Sequence, residues 1–219
     1  MPPPRAASHP IRSLLRRMPI YPLFKQLGHF PDYWWWKLRG EPRRVPHLVK
    51  QRTVIQYARA FGLTTLVETG TYYGEMIAAV ASSFRRIYSI ELDPHLARQA
   101  QKRFRRYTGV EIIEGDSQSA VPGLLQRLHE PCLWWLDAGY YGWAGRFGDP
   151  GRLGSELTAI LSDTLHRHVI LMDDADGLNG EAGAPRLEDL IASLHANYPD
   201  QQVEVAHNIV RITPQNLQR

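Results

Sequence analysis

The nine residues Val67-Glu68-Thr69-Gly70-Thr71-Tyr72-Tyr73-Gly74-Glu75 decide how this chain folds. A short β-branched run, Thr64 to Val67, leads into a glycine turn, and residues 75 to 83 carry helical periodicity. Gly70 permits a sharp turn and close approach by a ligand, and Gly74 starts the helix without steric obstruction. Outward from this unit the same alternation repeats. Upstream, residues 46 to 61 read as a helix with Leu48, Val49, Ile55 and Ala58 available for a buried face, stopped by Gly62. Downstream, strands at Arg86 to Ile90, Val110 to Ile113, Cys132 to Leu136 and His168 to Met172 alternate with helices. These run from Pro94 to about Tyr107, about Ser119 to Leu128, about Leu153 to Ser162, and near 186 to 197. The last two strands, Gln202 to Ala206 and Ile209 to Thr213, are separated only by His207-Asn208 and predict an antiparallel hairpin. Five β-α units closed by a hairpin predict an α/β fold: an open, mostly parallel sheet with helices on both faces.

The chain has 219 residues, enough for one well-buried core and short for two full domains. No run of about 18 uncharged apolar residues occurs, which excludes a membrane-spanning helix by this criterion. A single cysteine, Cys132, rules out an internal disulfide and a cysteine zinc site, and a buried thiol in a reducing cytoplasm fits best. The net charge of +4 hides a division, with residues 1–53 at +9 and the remainder at −5. We therefore divide the chain into a basic, Pro- and Trp-rich extension, 1–45, and a domain, 46–219. The extension lacks the continuous apolar stretch of a secretory leader. Ile11, Leu14, Leu15 and Met18 recur among arginines at helical spacing, so this arm either touches an anionic membrane surface or packs onto its own domain; packing is the expectation. Tyr33-Trp34-Trp35-Trp36 is expected to cover a pocket edge or a neighbouring subunit, which would make a homodimer. Aromatic and basic residues are interleaved here, but no nucleic-acid-binding module accompanies them, so nucleic acid is not the expected partner.

Ligands of an open α/β sheet bind beyond the carboxyl ends of its strands. In this chain those ends are acidic: Glu68, Glu91, Glu114-Gly115-Asp116, Asp137 and Asp173-Asp174. Glu91 lies where a carboxylate accepts both ribose hydroxyls, and Asp116, beside Ser117, lies where an adenine ring edge is read. The turn departs from the Gly-x-Gly-x-x-Gly of dinucleotide sites, because Thr71 follows Gly70 and Glu68 precedes it. A carboxylate in the turn repels a pyrophosphate and suits a cationic ligand. S-adenosylmethionine (SAM), with its ammonium and sulfonium, is favoured over NAD.

Residues 46 to 213 resemble the class I SAM-dependent methyltransferases. The stretches that carry the resemblance are Val67 to Gly74, Ile87-Tyr88-Ser89-Ile90-Glu91 and Glu114-Gly115-Asp116-Ser117, in the expected order and spacing. Pro46-His47-Leu48-Val49-Lys50-Gln51 is similar to bacterial methyltransferase-like proteins of sugar, polysaccharide and natural-product pathways. The resemblance implies a Rossmann-like sheet of seven strands and cofactor contacts from Glu68, Gly70, Glu91 and Asp116. Our cofactor-side candidates are these four together with Thr71, Gly74, Ser117 and Asp137.

For the acceptor side, Asp137 and the pair Asp173-Asp174 would converge on one pocket. They would repel unless protons or a divalent cation intervened, and hard oxygens suit Mg²⁺. Trp134-Trp135-Leu136-Asp137 and Ile170-Leu171-Met172-Asp173-Asp174 also resemble the strand ends of metal-dependent O-methyltransferases. The expected reaction is methyl transfer to an oxygen of a small molecule or glycan, metal-assisted, with Asp137, Tyr140 and His47 as catalytic candidates. Relatives tend to read Asp-Gly-His-Tyr after the fourth strand, whereas this chain reads Asp137-Ala138-Gly139-Tyr140, so the histidine is absent. Two other readings stay open: a cofactor-binding module without catalysis, and a NAD-dependent oxidoreductase, which the acidic turn disfavours. His166 and His168 flank the entry end of the fifth strand and read as structural. The acceptor pocket is expected from the N-terminal arm and the loops at 138 to 151 and 175 to 185.

Overall fold

The computed structural model describes residues 33, 36–40, 45–137, 154–181 and 184–215. In chain order the elements are α1 (His47–Ala60), β1 (Thr65–Thr69), α2 (Glu75–Val80) with a 3-10 turn at Ala81–Ser83, β2 (Arg86–Glu91), α3 (Pro94–Phe104), β3 (Val110–Glu114) and α4 (Ser117–Leu125). They continue as β4 (Leu133–Leu136), α5 (Ser155–Leu161), β5 (Val169–Met172), a 3-10 turn at Ala175–Gly177, α6 (Leu187–Asn197), β6 (Gln201–Ala206) and β7 (Ile209–Pro214). The seven strands form one sheet in the order β3-β2-β1-β4-β5-β7-β6. The first five are parallel, and β7 runs antiparallel to both β5 and β6. The order reverses between β1 and β4, so the switch point lies at the carboxyl ends of those two strands.

Side chains alternate across a strand, and the alternation divides the core in two. Val67, Trp134, Leu136, Ile170 and Met172 face one layer, with Val121 and Leu124 of α4, Leu157 and Ile160 of α5, and Leu190 and Leu194 of α6. Leu66, Ile87, Leu133, Trp135 and Leu171 face the other, with Val54 and Ala58 of α1, Ile77 and Val80 of α2, and Ala97 and Phe104 of α3. By the same alternation Glu68, Ser89, Asp137 and Asp173 fall on the side covered by α1. Their clustering follows from strand parity and register.

Several boundaries differ from the sequence reading. The strand predicted to stop at Val67 continues to Thr69, because Glu68 and Thr69 pair with Ser89 and Ile90 on one side and with Trp135 and Leu136 on the other. Glu68 is therefore inside the strand. The helix expected near Ser119 begins at Ser117, because the Asp116 carboxylate accepts from the Ser119 N–H as an N-cap. The basic helix ends at Phe104, short of Tyr107. Trp36 is buried and stands edge-on to His207, with ring centroids 5.6 Å apart. Part of the tryptophan cluster thus packs on the domain, at the rim of a cavity beside the β6–β7 turn. Cys132 is buried, and burial pushes its thiol up to about 12. Among the described residues no helix is long and apolar enough to cross a membrane.

Candidate active site

Backbone bonds fix the strand ends in a row. Gly70 N–H donates to Ile90 O at 2.9 Å, Asp137 N–H to Thr69 O at 3.2 Å, Asp173 N–H to Leu136 O at 2.9 Å and Gly115 N–H to Glu91 O at 2.9 Å. Gly70 has φ +88, and a Cβ there would lie 3.1 Å from the Asp137 carbonyl oxygen. Glycine is required by both the conformation and the close approach of β4. Gly74, at φ +68, lies against the Phe104 ring, which a Cβ would meet at 2.4 Å. It acts in helix packing, and no ligand is needed to explain it.

At the end of β2, Glu91 is buried and its two oxygens are held separately. One accepts from the Tyr72 N–H at 2.7 Å, the other from the Asp93 N–H at 2.9 Å. Each oxygen keeps a further lone pair, so the carboxylate is preset in one orientation. Tyr72 is in the left-handed region, at φ 48, a strained conformation for a non-glycine residue. The neighbouring Leu92 side chain is 64% exposed, an apolar surface beside the buried acid. Asp116 is exposed and caps α4 through Ser119. The Ser117 hydroxyl turns inward and donates to the buried Glu156 of α5, so what Ser117 offers a ligand is its backbone.

Glu68 is almost fully buried. It accepts from the Ser89 hydroxyl at 2.6 Å, and Ser89 in turn lies 2.6 Å from the Thr71 hydroxyl. Thr71 therefore serves this chain of hydroxyls. Burial, with smaller contributions from Asp137 and Glu91, outweighs the Ser89 bond and pushes the Glu68 carboxyl up to about 8. In place of the fixed negative charge expected in the turn, burial favours the protonated carboxyl at pH 7.

Beyond the ends of β4 and β5, Asp137, Asp173 and Asp174 do come together, with one carboxylate oxygen of each inside 4.8 Å of the others. A fourth group stands among them. The Lys50 ammonium, from the first turn of α1, donates to Asp173 Oδ2 and lies 3.4 Å from Asp174 Oδ1. Burial works against the Lys50 charge, but Asp173, Asp174 and Asp137 outweigh it and hold its pKa above the usual lysine value. Asp173 is 2% exposed, and burial pushes its carboxyl up to about 7 in spite of Lys50. The other Asp173 oxygen accepts from the Asp174 N–H at 2.9 Å.

Lys50, Glu68, Asp137 and Asp173 line a crevice of about 210 Å³ that also takes in His47, Gly70, Thr71, Tyr72, Glu75 and Trp135, with Asp174 outside that lining. His47 Nε2 is 3.8 Å from Glu75, and Nδ1 is 3.4 Å from the Gln51 side-chain nitrogen. Glu91 and Asp116 lie outside the crevice lining. Tyr140, Gly139 and the rest of the loop after β4 lie outside the described residues. The sequence reading missed Lys50, Ser89 and Glu156. Lys50 had a signal, since three converging acids need a cation and Lys50 sits in a stretch singled out for its likeness to other proteins. Ser89 and Glu156 had none.

No family model matches the chain, and no curated protein matches it either. Solved structures do. The SAH-bound Podospora anserina methyltransferase PaMTH1 is 21% identical at a TM-score of 0.56, over 86% of this chain and 88% of its own. The O-methyltransferase TomG of Streptomyces achromogenes, in complex with SAM, is 16% identical at 0.55, over 82% and 86%. A putative caffeoyl-CoA O-methyltransferase of Staphylococcus aureus is 14% identical at 0.53, over 81% and 90%. At such identities the likeness establishes the fold alone, the Rossmann-like sheet that these methyltransferase structures share with this chain.

Proposed function

We propose that this chain transfers a methyl group from SAM to an oxygen of a small molecule or glycan. The observation that carries the reading is the preset Glu91 carboxylate, buried at the end of β2 with both oxygens oriented by backbone amides. It stands across the switch point from an acid-lined crevice. The bound donor would supply a methyl group on a positively charged sulfur, already a good leaving group. The chain's own work is to bind, align and manage a proton. Glu91 would take the ribose hydroxyls, with Leu92 and the backbone at Asp116-Ser117 against the base. Glu68 and Asp137 would face the cationic amino-acid end. In the transfer, the acceptor oxygen bonds to the methyl carbon, the sulfur–carbon bond pair returns to sulfur, and the hydroxyl proton goes to a base. We assign that role to His47 or Asp137, both of which line the crevice. Val45 lines both this crevice and the larger cavity of about 610 Å³ bordered by Trp36, Asp176, Arg186 and His207, which gives an acceptor room next to the donor.

A divalent metal fits this site poorly. Its oxygens suit Mg²⁺, but the ammonium of Lys50 already engages two of the three carboxylates, so no step is routed through a metal. Calorimetry with SAM, S-adenosylhomocysteine and NAD(H), followed by transfer of labelled methyl to candidate glycans and phenols, tests the proposal. Binding of the first two ligands with turnover is the expected result. Binding without turnover would favour a non-catalytic module, and preference for NAD(H) would overturn the reading.

A further inference from the structure

The three acidic tips present an electrostatic problem that the chain has to solve. With their oxygens inside 4.8 Å, ionised Asp137, Asp173 and Asp174 repel strongly in a crevice where Asp173 is almost wholly out of water. Two solutions use what solvent provides, protons or a divalent ion. The structure contains a third. Lys50 and Asp173 are 123 residues apart in sequence, and α1 carries the ammonium across the carboxyl end of the sheet into the cluster. The Lys50 side chain is only 18% exposed. Each Asp173 oxygen already accepts one hydrogen bond, one from Lys50 and the other from the Asp174 N–H. An ammonium brings three donors and a single charge, and it needs no dehydration of a small hard ion.

We propose that Lys50 is the built-in cation of the acceptor-side cluster, standing where a divalent ion would otherwise sit, and that the transferase works without metal. This rests on the methyltransferase reading for its role in catalysis; the occupancy of the cluster is independent of it. Lys50 is a positioning residue here. It holds Asp173 and Asp174 in place and offsets their charge, leaving Asp137 to face the reacting groups.

The test titrates Mn²⁺ into the full chain and follows bound ion by electron paramagnetic resonance, with SAH binding measured calorimetrically on the same samples with and without EDTA. The wild-type chain should show no saturable Mn²⁺ site at millimolar ion, and EDTA should change SAH affinity by less than twofold. Lys50→Ala should gain one saturable Mn²⁺ site, lost again in Lys50→Ala with Asp173→Asn. Should Lys50→Ala not fold, as judged by its melting curve, Lys50→Met keeps the stem and removes only the charge. Stoichiometric Mn²⁺ binding by wild type that Asp173→Asn abolishes would overturn the proposal, since the ion would then displace the lysine. Failure of both lysine variants to bind Mn²⁺ would also overturn it, since the cluster would not be a cation site at all. Loss of SAH binding by wild type would sink the methyltransferase reading while the Mn²⁺ results stayed interpretable.

Discussion

Glu68 and Glu91 are both buried carboxylates toward the carboxyl end of the sheet, and their surroundings set them apart. Glu91 has two backbone donors, whereas Glu68 has one hydroxyl and a surrounding of strand. The Glu68 pKa of about 8 has a direct consequence for stability. A carboxyl whose folded pKa is raised stabilises the fold fully below its unfolded value and loses that contribution as pH rises through the folded one. Asp173, pushed up to about 7, acts in the same direction. The ligand-free protein should therefore melt at progressively lower temperature as pH rises from about 5 to about 8, and Glu68→Gln should flatten that slope in thermal scans. A cationic donor reverses the preference for the neutral acid. SAM binding should release protons near neutral pH, read as a dependence of the binding enthalpy on buffer ionisation heat. Glu91→Gln should weaken SAH binding about 10- to 100-fold, the loss of roughly 1.5–3 kcal/mol of charge-assisted hydrogen bonding. The positions of these acids were legible in the sequence because they terminate β-branched and apolar runs. Their protonation was not, because it depends on neighbours supplied by other strands.

At the level of elements, the alternation of strand and helix was legible throughout, since hydrophobic period and glycine stops punctuate it. The ends were not, because they are set by partners. Asp116 pulls the start of α4 forward by capping it, and two-sided pairing extends β1 through Thr69. The entry end of β5 shows the same dependence. His168 Nδ1 accepts from the Cys132 N–H at 3.1 Å, which places the ring proton on Nε2, where it donates to Asp163 at 3.1 Å. His166 joins the same carboxylate at 3.0 Å. That tautomer makes the group a clasp between β4 and the turn before β5, and it leaves His168 unsuited to ligate a metal. Asp163→Ala should cost about 1–3 kcal/mol in urea unfolding by leaving a buried donor without its acceptor. Gly74→Ala should cost a similar amount, about 1–3 kcal/mol, because it combines a left-handed φ with a collision against Phe104.

For the whole molecule, an open parallel sheet followed by a hairpin was legible, and the order β3-β2-β1-β4-β5-β7-β6 realises it. Lys50 left only an indirect trace, the need of converging acids for a cation, because nothing local links the first turn of α1 to the end of β5, 123 residues away. Trp36 belongs to the same class of long-range contact. Buried at 5% exposure against the β6–β7 turn, it should cost about 3 kcal/mol when changed to Ala, measurable as a lowered melting temperature. The sheet has two halves, β3-β2-β1 and β4 to β7, and they approach closely at Gly70, where a Cβ would lie 3.1 Å from the Asp137 carbonyl oxygen. Under the proposed methyl transfer, the missing methyl group at that seam sets the spacing between the two reactants. Alanine there would act as a shim, and kinetics should register it as a fall in kcat larger than any rise in KM, since displacement at carbon tolerates little extra distance between the reacting atoms.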